Sequence, residues 1–150
     1  LGDALVYGFS LYVVARGAAM KAKAALFKGT IMAGFGLFVL GQAIYRIVYP
    51  QLPVFEAIGA IGLLALVANS LCFYLLWRHR TDDINMSSVW LCSRNDIIAN
   101  ISVLFAAIGV WLTHSGWPDI LVGLALAALF LRSALFVLRK ALGEIRSIKR

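Results

Sequence analysis

Charge is scarce in this chain. Asp, Glu, Lys and Arg together make up 14% of its 150 residues, against 62% that are apolar. Soluble domains carry roughly 25% charged residues, so a water-soluble globular class is excluded. Cysteine is scarcer still. Cys72 and Cys92 both fall inside apolar runs; two cysteines make no disulfide framework, and their setting points to reduced thiols within a membrane. The few prolines, Pro50, Pro53 and Pro118, are confined to two turns. No Ser–His–Asp set, HExxH pattern or phosphate-binding loop is present, so an enzymatic reading has no motif to stand on, and nothing points to nucleic acid. The opening Leu1-Gly2-Asp3 lacks Met and the basic leader of a signal peptide.

What the chain does have is long apolar runs separated by short polar punctuation. They predict an all-α, polytopic transmembrane helix bundle in one domain, 1–150, with helices over about 1–16, 24–49, 54–77, 88–113 and 118–138 and a tail over 139–150. The last four runs reach the ~20 residues needed to cross a hydrocarbon core ~30 Å thick. Tyr49-Pro50-Gln51-Leu52-Pro53 and His114-Ser115-Gly116-Trp117-Pro118-Asp119 read as tight turns. Basic residues set the orientation. Arg16, Lys21, Lys23 and Lys28 follow the first run, Arg78 and Arg80 the third, and Arg139, Lys140, Arg146, Lys149 and Arg150 the fifth, whereas the two turns between carry none. By the positive-inside rule the basic connections and the C-terminus face the cytoplasm. The first run, Asp3 to Arg16, spans only about 20 Å as a helix, too short for a crossing. The expectation is therefore that the helix begins upstream of Leu1, that a further complete helix precedes it, and that Asp3 lies near mid-bilayer.

Against this apolar background the run Cys92-Ser93-Arg94-Asn95-Asp96-Ile97-Ile98-Ala99-Asn100 stands out. A carboxylate such as Asp96 near the centre of a span costs about 2.5–3.5 kcal/mol on insertion scales. Cys92, Asp96 and Asn100 stand at i, i+4 and i+8, along one helix face. Thiolate, carboxylate and amide oxygen form a donor set for a divalent transition metal, with zinc, cobalt or cadmium favoured over the oxygen-seeking magnesium and calcium. Asp3, expected at similar depth on another helix, would complete a shared site. The competing reading makes Asp96 and Asn100 interhelical hydrogen-bond glue, each worth about 0.6 kcal/mol, and Cys92 a small apolar packer. Asn69 reads the same way. Gly34, Gly36, Gly41, Gly59 and Gly62 read as close-approach positions, Arg46, Arg94 and Arg132 as snorkelling cations, and Trp77, Trp90, Trp111, Trp117 and Tyr49 as an interfacial belt.

At these residues the chain resembles the cation diffusion facilitator (cation efflux) family. The second and fifth of that family's six transmembrane helices each supply two metal ligands four residues apart. Cys92-x-x-x-Asp96 falls on the fifth-helix pattern, usually His-x-x-x-Asp, with Cys in the His place, and Asn100 matches a polar position one turn on. Asp3 with Ala4-Leu5-Val6-Tyr7-Gly8 looks like the second half of the helix-two pattern, its partner ligand expected four residues earlier. The resemblance covers helices two to six. Two features depart from it: the His-Gly-Lys-Ala-Glu-like loop before helix three is replaced by Lys23 to Gly29, and the chain stops at Arg150 before the family's cytoplasmic metal-binding domain. The resemblance implies a divalent-metal efflux transporter of the zinc, cobalt or cadmium type. It binds metal at Asp3, Cys92, Asp96 and Asn100 in exchange for protons from Asp3, Asp96 and Cys92, needs no resident cofactor, and is expected as a homodimer in a bacterial inner membrane. The alternatives from the residues alone are a metal-independent proton-coupled transporter, or a structural or signalling membrane subunit.

Overall fold

In hydrocarbon an unpaired backbone N–H or C=O costs several kcal/mol, so runs this apolar must close their hydrogen bonds locally. They do so as helices. The computed structural model describes residues 8–10, 12–13, 15–49 and 59–148, with side-chain surroundings in the second long helix from Leu66 onward. Four helices follow in order: α1 (Ala18–Val48), α2 (Gly59–Trp77), α3 (Ile84–Thr113) and α4 (Trp117–Ile148). Residues 8–10 and 12–13, ahead of α1, are helical as well, and no strand occurs among the described residues. α1, α3 and α4 are each long and apolar enough to span a membrane. The protein is an all-α transmembrane helix bundle.

Helix ends follow local chemistry. α1 begins at Ala18, ahead of the expected residue 24, because Ala-Ala-Met-Lys-Ala-Lys is rich in strong helix formers. The extra turns draw Lys21, Lys23 and Lys28 into the helix. α3 begins at Ile84, where Asp83 caps it by accepting the Met86 N–H at 2.8 Å. It ends at His114, the one non-glycine at positive φ (50°) among the described residues, a left-handed cap that turns the chain sharply into α4. α4 continues to Ile148, ten residues past the expected end at 138, because Val137 and Ala141 keep a buried stripe going between the basic residues.

α1 packs most extensively on α4. Gly29 and Gly36, seven residues apart on α1, allow it. A Cβ on Gly29 would stand 2.9 Å from Leu138 Cδ2, and one on Gly36 would meet Leu131 Cγ at 2.9 Å and the Leu131 backbone N at 3.2 Å. Small residues drive helix association in lipid through close van der Waals contact. Gly34 and Gly41 meet nothing within 4 Å, so of those two and Gly36 only Gly36 is a contact position; the surroundings of Gly59 and Gly62 lie outside the described side chains. A core of Ala22, Ala25, Met32, Ile84, Leu91, Ala134, Val137 and Ala141 joins α1, α3 and α4. Two ion pairs pin opposite ends: Lys21 Nζ to Asp83 Oδ2 at 2.8 Å, and Arg46 to Asp119. They fix α1 parallel to α3 and antiparallel to α4.

Candidate intramembrane polar site

α3 carries the site. At 100° per residue, Cys92 lies about 20° short of two turns from Asn85, and Asp96 about 20° beyond three. Asn85, Cys92 and Asp96 therefore share one face. Cys92 is half-buried and packs against the apolar core. Asp96 and Asn100 are half-buried too. The carboxylate stands about 18 Å along α3 from Ile84 and 25 Å from Thr113, far from either helix end. Asp3 lies outside the described residues. Among the described residues no three of His, Cys, Asp and Glu gather into a metal-holding group.

What faces this side of α3 is a polar cluster at the Lys21–Asp83 end. Lys28 is fully buried at 0% exposure, as is Asn85. Its ammonium donates to Ser10 Oγ at 2.9 Å, Asn85 Oδ1 at 2.5 Å and the Asn85 carbonyl at 3.2 Å, and Asn85 Nδ2 donates to the Ser10 carbonyl at 3.3 Å. Three ammonium protons meet three acceptors, which makes a buried cation tolerable. Ser88 Oγ donates to the same Asn85 carbonyl at 2.7 Å. Sequence reading placed Lys28 among the cytoplasmic basic residues; it is instead an internal cation joining the N-terminal segment, α1 and α3.

A second cluster holds the α4 flank of this α3 face, beside Asp96. Asn95 is 0% exposed. Its Oδ1 accepts from Ser133 Oγ at 3.3 Å and Arg94 Nη2 at 3.2 Å, Arg94 Nη2 also reaches Ser133 Oγ at 3.2 Å, and Asn95 Nδ2 lies 3.6 Å from Met32 Sδ. Arg94 is thus tethered rather than free to snorkel. On the α2 side, Ser93 Oγ donates to the Asn69 carbonyl at 3.1 Å. Trp90 is no simple belt residue: it stacks on Phe73 with centroids 5.4 Å apart, whereas Trp77, Trp111, Trp117 and Tyr49 are exposed. His79 pairs with Asp82 at 2.8 Å.

Asn85, Ser88, Asn95, Ser133 and Lys28 were not singled out from the sequence. Their signal was present: Asn85, Ser88, Cys92, Asn95 and Asp96 recur at three- and four-residue intervals, a polar stripe on an apolar helix. These contacts lock α3 in rotation, so that Cys92 and Asp96 face the side on which Ser10 and Lys28 lie. A soft thiol and a hard carboxylate one turn apart on that face suit cation binding. A search of curated protein sequences found no match. The cation efflux transmembrane domain, however, is matched over residues 19–145, which takes in all four helices but for the first residue of α1 and the last three of α4. A bundle of spanning helices with this stripe, matched over most of its length, belongs to the cation efflux family.

Proposed function

We propose that the chain exports a divalent transition metal of the zinc, cobalt or cadmium class in exchange for protons, using Asp3, Cys92, Asp96 and Asn100 as ligands. The observation that carries this reading is the contact of Ser10 with Asn85 and Lys28, since it sets the N-terminal segment against the α3 face that bears Cys92 and Asp96. Asp3 precedes Ser10 by the same seven residues that separate Asn85 from Cys92. On this reading Asp3, seven residues ahead of Ser10, joins Cys92 and Asp96 at the site. Two carboxylates and a thiol then surround one cation. Only their deprotonated forms bind metal well, so metal loading releases protons and protonation releases metal. The metal enters from the cytoplasmic side, where the basic ends and the C-terminus lie by the positive-inside rule, in a bacterial inner membrane and as a homodimer. No catalytic residue and no resident cofactor enter this scheme.

The test is metal protection and vesicle uptake with the full-length chain. Asp96→Ala should abolish export of Zn²⁺, Co²⁺ and Cd²⁺ while leaving inserted, folded protein. Wild-type export by that variant overturns the assignment. A second reading draws on the Asn95–Ser133 and Ser93–Asn69 bonds, which show polar groups of α3 serving as helix glue. On that reading Asp96→Asn is nearly silent, because hydrogen bonding survives; on the metal reading it removes a charged ligand and export falls at least tenfold.

A further inference from the structure

On the side of the bundle away from the polar stripe, α3 and α4 border an open cavity of about 480 Å³. Its walls are Leu91, Ile98, Leu129 and Phe136, and its polar lining includes two guanidinium groups, Arg94 and Arg132. At Arg132 and Phe136 it meets a second groove of about 740 Å³ along α4, which adds Arg139 and Lys140. Among the described residues, no carboxylate lines either one. Two like charges thus line one apolar cavity, and Arg94 Nε is buried without a hydrogen-bond partner. Arg94 is held in place from behind by Asn95 and Ser133 and from the side by the Trp90 ring, 5.5 Å from its centroid. A fixed, desolvated guanidinium beside a second one is an arrangement that an anion stabilises.

We propose that this groove binds an anionic phospholipid of the leaflet at the Lys21–Asp83 end. The phosphate lies at the Lys21–Asp83 end of the groove, by Arg139 and Lys140, with the exposed Arg132 side chain extending toward it, and the acyl chains run along Ile98 and Leu129 toward the midplane. Charge decides the head group, since basic pockets between transmembrane helices select anionic lipids. The walls decide that the source is a lipid rather than a free anion, because Ile98 and Phe136 present apolar surface outward. Bound lipid would tie α3 to α4 on the flank opposite the polar stripe.

The full-length chain is purified and placed in nanodiscs of phosphatidylcholine with or without phosphatidylglycerol. Lipid retention is read by native mass spectrometry and stability by thermal melting. Arg132→Gln is the informative variant, because Arg132 is exposed whereas Arg94 supports the Asn95–Ser133 cluster. Phosphatidylglycerol should raise the melting temperature of the wild type, and Arg132→Gln should lower its retention at least fivefold. Arg146→Gln, an equal loss of charge at the last turn of α4, should leave retention unchanged. Equal losses in both variants reduce the effect to general surface charge and overturn the site. So does full competition by inorganic phosphate, which would make the ligand a free anion. Dissociation of a lipid-free dimer by Arg132→Gln would assign the groove to a second copy instead.

Discussion

Asp83 shows how one side chain does two structural jobs. It caps α3 through the Met86 N–H and pairs with Lys21. Burial alone would raise its pKa, but the Lys21 hydrogen bond and charge and the backbone N–H groups of Met86 and Asn85 outweigh it and hold the carboxyl below the ordinary 3.8. A folded-state pKa below the unfolded one gives stability that is present above pH 3.8 and is lost as pH falls through the native value. At about 1 kcal/mol for a partly exposed pair, Asp83→Asn should lower the melting temperature near neutral pH. It should also shrink the loss between pH 5 and pH 3 by roughly 2–4 °C. Thermal melts of both proteins across that range check this, and an unchanged acid slope would count against the pairing. Lys28 is the harder residue to read. In sequence it belongs to a run of basic residues, and only the meeting of Ser10 with Asn85 shows that its ammonium has an interior shell. Cys92, Asp96 and Asn100 could be picked out because polar groups are conspicuous in an apolar helix, whereas Asn85 and Asn95, legible as members of the same stripe, took their roles only from their partners.

Among elements, the α1–α4 pair decides whether the bundle holds. Its contact depends on Gly29 and Gly36, which leave room for Leu138 and Leu131. Gly36→Val forces a side chain against the Leu131 backbone, and overpacking of this kind costs about 1–3 kcal/mol. Gly34→Ala, two residues away and facing open space, should be neutral or stabilise α1 by up to about 1 kcal/mol through helix propensity. Comparing the folded fraction of the two variants in detergent tests the assignment of the contact face; equal behaviour would undo it. The helices themselves could be read from the sequence, but their faces could not. Glycine spacing alone proposed Gly34, Gly36 and Gly41 together and passed over Gly29, because a stripe on a cylinder carries no information about which neighbour it meets.

For the whole molecule, orientation follows from basic residues gathered at one end of the bundle. Membrane-impermeant maleimide should label Ser115→Cys on intact cells, and Thr81→Cys only after permeabilisation, the native Cys72 and Cys92 being half-buried within helices. The reverse pattern inverts the proposed direction of transport. The ion pairs Lys21–Asp83 and Arg46–Asp119 sit at the two ends of the bundle.

By itself the sequence determined that this is a membrane-spanning helical protein and that Asp96 is a costly group in need of a reason. Those properties are local: in hydrocarbon each helix satisfies its own backbone, so composition and length suffice. Tertiary structure alone decided that Lys28 is interior, that Asn95 meets Ser133, and that Arg94 is tethered beside Arg132. Lipid is as apolar as leucine, so no hydrophobic signal marks the buried face of such a helix, and rotation and depth are settled only when neighbouring helices pack.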